Sequence, residues 1–107
     1  MSKAIRLHKQ GGPEVMVWED VEVGEPGPGQ ARVRHNACGL NYIDVYHRSG
    51  LYPLPMPSGI GMEAAGVVEA VGPGVTNVKQ GDRVAYASGP VGAYAEVRLM
   101  AADRLVN

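Results

Sequence analysis

The stretch from Gly66 to Val84 constrains the fold of this chain more than any other part of the sequence. It contains a valine-rich run, a glycine turn at Gly72-Pro73-Gly74, a short excursion, and a second run that opens with Gly81-Asp82-Arg83-Val84. Valine favours the pleated, half-buried surface of a strand, and glycine permits left-handed turns and close backbone approaches. The pattern predicts two strands of a tightly curved sheet, joined by a turn and a short loop.

Short stretches of alternating apolar and polar residues run along the rest of the chain. Fifteen glycines and eight prolines separate them, which is typical of many short strands rather than of long helices. The residues predicted to share one buried strand face are Ile5 and Leu7; Val21 and Val23; Ala31 and Val33; Val84 and Tyr86; and Ala95, Val97 and Leu99. The sequence therefore predicts a mainly β domain, a small barrel that is closed or nearly closed.

One segment departs from the strand pattern. Residues 41–47 contain neither glycine nor proline, and Asn41 precedes Asp44 by three positions. This spacing is typical of a helix N-cap with an acid in the first turn. We expect a helix of about two turns that tertiary packing stabilises, because so short a helix is marginal on its own.

Three of the five tyrosines, Tyr42, Tyr46 and Tyr52, fall within eleven residues. Tyr42 and Tyr46 are four positions apart and would share one side of the predicted helix. These tyrosines are either ordinary packing residues or an aromatic wall beside a pocket, for which a flat apolar ring with a polar tip is well suited. The sequence leaves both interpretations open.

Length and charge limit the class of protein. The 107 residues correspond to one domain, and ten basic against eleven acidic residues give a net charge of −1 without any block of like charge. We therefore expect no nucleic-acid partner. No apolar run reaches membrane-spanning length, and the charged start does not fit a signal peptide, so we expect a cytoplasmic protein without a membrane partner.

The histidines and the single cysteine do not form a metal-binding pattern. His35 and Cys38 are three positions apart, and on a regular strand such side chains point to opposite faces. A zinc site would need a bulge or a strand end between them, and a further ligand such as His47. We predict no metal site, and we interpret the pair as a half-buried strand histidine and a small apolar cysteine.

The segment Gly59-Ile60-Gly61-Met62-Glu63-Ala64 has the spacing of a dinucleotide-binding loop, but its surroundings do not fit one. Such a loop follows a strand and opens a helix. Here prolines 53, 55 and 57 precede the segment and a valine-rich strand follows it. We therefore predict an ordinary loop.

These segments together resemble the amino-terminal domain of the medium-chain dehydrogenase/reductase family. The resemblance extends from the segment 9–15 to the segment 92–97. Zinc-dependent alcohol dehydrogenases of this family carry a cysteine and a histidine ligand where this chain has Asn41 and Met62. An amide and a thioether are poor replacements for a thiolate and an imidazole on zinc. The chain is thus similar to the zinc-independent branch, and the segment 41–53 resembles the ζ-crystallin-like quinone oxidoreductases.

The resemblance implies a GroES-like, partly open β-barrel with short helices. It also implies the substrate-side domain of an enzyme that transfers a hydride from NADPH to a quinone, or a related activated carbonyl compound, without a metal. The residues implied to approach the nicotinamide end of NADPH are Asn41, Tyr42, Ile43, Asp44 and Tyr46. Those implied to border the substrate pocket are Tyr46, Tyr52 and Glu63.

Structural roles are open for three of these residues. Asn41 is an N-cap candidate, Asp44 suits the first turn of the helix, and Glu63 has the alternative of pairing with a neighbouring arginine. No residue is assigned as catalytic with certainty.

Members of the family continue into a dinucleotide-binding domain, whereas this chain stops at Asn107. We expect residues 1–107 to be a GroES-like domain that lacks the dinucleotide-binding domain, is inactive alone and binds NADPH weakly or not at all. A homodimer is an expectation for the full-length enzyme only. The alternative hypothesis is a free-standing barrel that acts as a binding or assembly module, because the barrel also resembles the GroES co-chaperonin subunit.

Overall fold

The computed structural model describes residues 2–51, 54–87 and 90–107. Within these ranges the strands are β1 (Ser2–Leu7), β2 (Met16–Val21), β3 (Gln30–Gly39), β4 (Ser58–Gly59), β5 (Glu63–Val71), β6 (Arg83–Ala87) and β7 (Val97–Ala101). The α-helix α1 spans Tyr42–Ser49, and the 3-10 helices are Pro13–Val15 and Ala102–Arg104. The prediction of a mainly β domain is confirmed.

The strands form two antiparallel sheets. The first has the order β2-β1-β4, and the second has the order β6-β5-β3-β7. An isolated bridge between Ala4 and Ala95 joins them, and the N–H of Ile5 donates to the carbonyl of Tyr94 at 2.8 Å. The described strands thus leave the barrel partly open, as the family resemblance implies, and do not form the closed alternative.

The glycine-rich central stretch folds as the sequence predicts. β5 runs to Val71, the chain turns at Gly72, and it returns as β6 from Arg83. A Cβ on Gly66 would overlap the carbonyl oxygen of Arg34, because β3 passes very close to β5 at this point. The close approach that glycine permits explains the residue at this position.

The core lies mainly against the four-stranded sheet. Alternation places Ala31 and Val33 of β3, and Val84 and Tyr86 of β6, on the buried side, as predicted. The members of this cluster are Ala31, Val33, Ala64, Val68, Val78, Val84, Tyr86, Ala93, Met100, Ala102 and Leu105. A smaller cluster of Leu7, Val15 and Ile60 lies against the three-stranded sheet.

The predicted strand at Val21 and Val23 is only partly formed: both valines are half-buried with Glu22 exposed between them, as the alternation predicts, but Val23 lies outside any strand. β2 ends at Val21, and it begins at Met16, upstream of the predicted stretch. β2 pairs with β1 from Ser2 opposite Val21 to Leu7 opposite Met16. Pairing with β1 therefore sets both ends of β2, and Val23 lies beyond the last paired residue.

The predicted face of β7 is wrong. Met100 is the buried residue of this strand, with 2 % of its surface exposed. Val97 and Leu99 are only half-buried, and Ala95 precedes the strand. Apolar residues occupy both faces here, so alternation alone does not specify which face meets the core.

The short helix is confirmed, and it extends two residues beyond the predicted 41–47 segment, to Ser49. The described residues include no helix that is both long and apolar enough to cross a membrane. Gly61 lies in the loop between β4 and β5, and no helix starts there, as predicted; Gly59, also predicted as a loop residue, instead ends the short strand β4.

Candidate functional site

Helix α1 begins directly after β3, and its first turn holds most of the predicted site residues. Asn41 has extended backbone angles and is the N-cap residue. Its backbone N–H donates to Asp44 Oδ2 at 3.1 Å, as in a capping box. The backbone N–H of Asp44 donates in turn to the carbonyl of Asn41 at 3.0 Å. The cap that the sequence predicts is therefore confirmed.

Asp44 is almost completely buried, with 2 % of its surface exposed. The hydroxyl of Tyr94 donates to Asp44 Oδ2 at 2.6 Å. Burial raises the pKa of the Tyr94 hydroxyl, and the hydrogen bond to Asp44 raises it further, so this hydroxyl remains a proton donor. Asp44 Oδ1 has no hydrogen-bond partner among the described residues. The local role of Asp44 is thus to hold the start of α1 against the segment that carries Tyr94.

Glu63 lies beside the N-cap residue. The Asn41 amide Nδ2 donates to Glu63 Oε1 at 3.1 Å. Glu63 pairs with Gly39 in the β3–β5 register, and a Cβ on Gly39 would overlap the Glu63 carboxylate. The ion pairs found among the described residues do not involve Glu63, so its contact here is an amide rather than the alternative arginine.

The predicted site tyrosines Tyr42 and Tyr46 lie at the surface rather than in the core. Tyr42 is 83 % exposed and Tyr46 is 37 % exposed. Neither is a core residue, but half-exposed packing and an aromatic wall both stay open for this pair. Tyr52, the third member of the predicted aromatic wall, lies outside the described residues. The wall and its role in a pocket remain a prediction.

A cavity of about 400 Å³ lies beside α1, within the size range of small-molecule sites. Its lining residues are Ile43, His47, Leu54, Pro55, Ser58, Met62, Pro90 and Val91. Ile43 follows Asn41 by two positions, and Met62 directly precedes Glu63. The cavity and the Asn41–Glu63 contact therefore share the same end of the barrel. The structure brings Asn41, Ile43, Asp44 and Glu63 together there.

His35 belongs to a separate polar cluster on the four-stranded sheet. Its Nδ1 donates to the carbonyl of Ala95 at 2.7 Å, and its Nε2 lies 3.0 Å from the Tyr86 hydroxyl. Arg98 donates to that hydroxyl at 3.4 Å and lies 5.6 Å from the Tyr86 ring centroid. Burial lowers the pKa of His35. Both ring nitrogens of His35 are therefore in contact with other groups of the protein.

The strand does carry a bulge between His35 and Ala37, the condition that a zinc site would need. Cys38 nevertheless lies exposed. Over the part of the chain that the structure describes, no three histidine, cysteine, aspartate or glutamate side chains come together.

Sequence reasoning missed Tyr94 and the lining role of Met62. Tyr94 is fifty positions from Asp44, so no local pattern connects the two. The usable signal is indirect: a carboxylate on the packed side of a short helix requires donors, and a tyrosine on a neighbouring segment supplies one. The family pattern places Met62 where a zinc ligand would stand and gives no sign that it lines a cavity.

Comparisons with known proteins agree with the fold. The profile of the alcohol dehydrogenase GroES-like domain matches residues 27–107. The chain is 56% identical to a quinone oxidoreductase of Pseudomonas aeruginosa, covering 100% of this chain and 33% of the relative. It is 50% identical to a 2-haloacrylate reductase of Burkholderia, with the same coverage of 100% and 33%.

A solved structure of Escherichia coli quinone oxidoreductase complexed with NADPH superposes with a TM-score of 0.94. It is 47% identical and covers 97% of this chain and 32% of that one. The chain thus spans about a third of the length of the relatives it matches. The predicted resemblance to this domain of the quinone oxidoreductases is confirmed. The chain belongs to the alcohol dehydrogenase GroES-like domain family.

Proposed function

We propose that this chain is the substrate-side domain of an oxidoreductase that transfers a hydride from NADPH to a quinone, or a related activated carbonyl compound, without a metal. The observation that carries the proposal is the cavity beside α1, lined by Ile43 and Met62, which are close in sequence to the hydrogen-bonded pair Asn41 and Glu63. The likeness to quinone oxidoreductases over the whole chain supports it.

The cavity suits the chemistry of such a transfer. NADPH gives a hydride from C4 of its nicotinamide, and with one proton from solvent the quinone becomes a quinol and NADPH becomes NADP⁺. The protein has to hold the two rings together and to stabilise the negative charge that develops on the acceptor oxygen. Ile43 and Met62 supply an apolar surface for a flat ring, and Asn41 supplies a hydrogen-bond donor.

The predicted cofactor residues fit the nicotinamide end of NADPH in different ways. Asn41 is half-buried, and its contacts among the described residues use one of its two amide N–H groups. Ile43 lines the cavity, and the rings of Tyr42 and Tyr46 are accessible. Asp44 is buried and already accepts two hydrogen bonds. We propose that Asn41, Tyr42, Ile43 and Tyr46 contact the cofactor. Asp44 does not contact it but holds the start of α1 in place through its two hydrogen bonds.

The donor set favours a reaction without metal. Asn41 and Met62 stand where the zinc-dependent members of the family have a thiolate and an imidazole. A neutral amide and a thioether bind zinc poorly, and the Asn41 amide already donates to Glu63. We therefore propose that donors of the protein, rather than a Lewis acid, stabilise the developing charge.

A second acceptor class has support from one comparison. The Burkholderia relative, 50% identical over this chain, is a 2-haloacrylate reductase. Its name describes reduction of an alkene that a carboxylate and a halogen activate. An acrylate is smaller and more polar than a quinone, so the apolar lining by Ile43 and Met62 favours the quinone.

Methyl NMR of the 107-residue chain tests the proposed acceptor site. Duroquinone is a suitable probe, because its four methyl groups disfavour addition of the exposed Cys38 thiol. We expect saturable shifts of the Ile43 and Met62 methyl signals, smaller shifts with 2-chloroacrylate, and little effect of NADPH alone. Saturable shifts of methyl signals only from residues outside this cavity, with none at Ile43 or Met62, would contradict the proposal.

A further inference from the structure

We infer that Glu63 is a positioning residue, which fixes the orientation of the Asn41 amide so that one N–H remains to donate to a carbonyl oxygen of a ligand. This inference deepens the proposed function and rests on it for the identity of the ligand. It also revises the predicted role of Glu63, from lining the substrate pocket to acting through Asn41.

The chemistry of the contact determines which way the amide faces. A side-chain amide has two N–H donors on nitrogen and an oxygen that only accepts. The Glu63 carboxylate is an acceptor when ionised, so it attracts the nitrogen of the Asn41 amide and repels the oxygen. The Nδ2–Oε1 separation of 3.1 Å fits this orientation. One N–H is therefore committed to Glu63.

The main chain of Asn41 is also held by a carboxylate. Asp44 Oδ2 accepts from the Asn41 N–H at 3.1 Å and from the Tyr94 hydroxyl at 2.6 Å. Burial and the contact with Asp44 raise the pKa of Tyr94, which keeps its proton in this contact. The carboxylates of Asp44 and Glu63 thus hold Asn41 from two directions, and its remaining N–H has a restricted position.

Gly39 explains how Glu63 reaches the N-cap residue. Glu63 and Gly39 are register partners on β5 and β3, and the Glu63 side chain passes over the Gly39 backbone, where a Cβ would overlap it. The position of the carboxylate is therefore set by strand pairing rather than by a flexible loop. Positioning groups on paired strands hold a donor more accurately than groups on loops.

The remaining N–H of Asn41 is a donor for a carbonyl oxygen. Glu63 takes one N–H of the amide nitrogen, so the other N–H points away from the carboxylate and keeps its capacity to donate. The quinone carbonyl and the nicotinamide carboxamide both offer such an oxygen. In either case the ligand accepts and Asn41 donates, so the contact stabilises negative charge that develops on oxygen.

Amide NMR of the ¹⁵N-labelled chain tests the positioning directly, without requiring activity. We expect one Asn41 Nδ2–H signal to shift with the ionisation of Glu63, and Glu63→Gln to abolish this pH-dependent shift. Gly39→Ala keeps the carboxylate but fills its space, so it should also abolish the shift. Glu25→Gln removes the exposed carboxylate that pairs with Arg32 and should leave the shift unchanged.

Asn77 is the internal reference, because its Nδ2 donates to the carbonyl of Ala102 at 2.8 Å. If the Asn41 Nδ2–H signal shifts equally with pH in the parent chain and in Glu63→Gln, the inference is overturned. Duroquinone and nicotinamide mononucleotide are added separately, each at high concentration because the chain alone is expected to bind the cofactor weakly; the ligand that shifts the other Asn41 N–H signal more is then identified as its partner. If the pH-dependent shift of the Asn41 signal depends on Glu63 but neither ligand shifts the other Asn41 N–H signal, the donor role is overturned. Methyl shifts at Ile43 with duroquinone would then still support the proposed acceptor site.

Discussion

Asp44 shows how a buried acid is accommodated at this site. A carboxylate removed from water needs hydrogen-bond donors, because an unpaired buried charge is strongly unfavourable. The Asn41 backbone N–H and the Tyr94 hydroxyl supply two donors to Oδ2, and the positive end of the α1 dipole adds to them. The start of the helix and the segment before β7 are thereby tied together at one side chain.

Tyr94→Phe should destabilise the domain by about 1–3 kcal/mol, the cost of leaving a buried acceptor without one of its donors. Urea unfolding followed by circular dichroism measures the difference. Tyr42→Phe is the matched control, because Tyr42 is 83 % exposed and its change should be close to zero. Equal midpoints for Tyr94→Phe and the parent chain would show that the Asp44–Tyr94 contact does not stabilise the fold.

The sequence predicts local contacts at this scale and misses distant ones. The Asn41–Asp44 cap was predictable because both residues fall within one helical turn. The partners Glu63 and Tyr94 lie 22 positions from Asn41 and 50 positions from Asp44. Their proximity depends on the pairing of β3 with β5 and on the bridge at Ala95, which no local pattern encodes.

His35 connects three elements of the four-stranded sheet. Its Nδ1 donates to the carbonyl of Ala95 just before β7, and its Nε2 meets the Tyr86 hydroxyl on β6. The groups that face it include Arg98, whose charge opposes protonation, and the Tyr86 hydroxyl. Burial is the largest cause of the lowered pKa of His35, and the Ala95 contact works against it.

Acidification should therefore destabilise the domain through His35. The folded state resists protonation more than the unfolded chain, so the unfolded chain binds more protons as the pH falls below about 6.5. The stability that a neutral His35 provides is complete above that pH and decreases below it, towards the lowered pKa.

Melting temperatures at about pH 7.5 and about pH 5.5 test this effect. His35→Gln should show a smaller decrease between these conditions than the parent chain, because it lacks the group that titrates. His8→Gln is the control, since His8 is exposed and pairs with Glu19 at the surface. An identical decrease in His35→Gln and the parent chain would assign the pH dependence to other groups.

The close approach of β3 and β5 at Gly66 should be sensitive to a single methyl group. Gly66→Ala places a Cβ against the Arg34 carbonyl, so the strands must separate, at a cost of about 1–3 kcal/mol. Thermal unfolding measures the loss. Ala65→Ser, at the exposed neighbouring position on β5, should change stability by less than about 0.5 kcal/mol. A Gly66→Ala domain as stable as the parent would contradict the proposed close contact.

Strand prediction succeeds where one face is clearly apolar. Ala31 and Val33, and Val84 and Tyr86, alternate with more exposed neighbours, and all four are buried. It fails in β7, where apolar residues occupy both faces and the packing selects Met100. It also misplaces the ends of β2, which depend on pairing with β1.

At the scale of the whole molecule, the two sheets create the candidate site at one end of an open barrel. The end of β3, the start of β5 and helix α1 supply Asn41, Glu63 and the cavity residue Ile43. We propose that this end meets the nicotinamide of a cofactor held mostly by a dinucleotide-binding domain. The alternative, an assembly module like a co-chaperonin, instead predicts a stable ring, which light scattering would detect.

The most direct test joins this chain to the remaining two thirds of the Pseudomonas aeruginosa quinone oxidoreductase, in place of the matching third. The measurement is NADPH oxidation with a quinone, before and after treatment with a metal chelator. We predict quinone-dependent oxidation at a rate that chelation leaves unchanged. A folded hybrid without activity, beside an active parent enzyme, or an activity that chelation abolishes and zinc restores, would contradict the account.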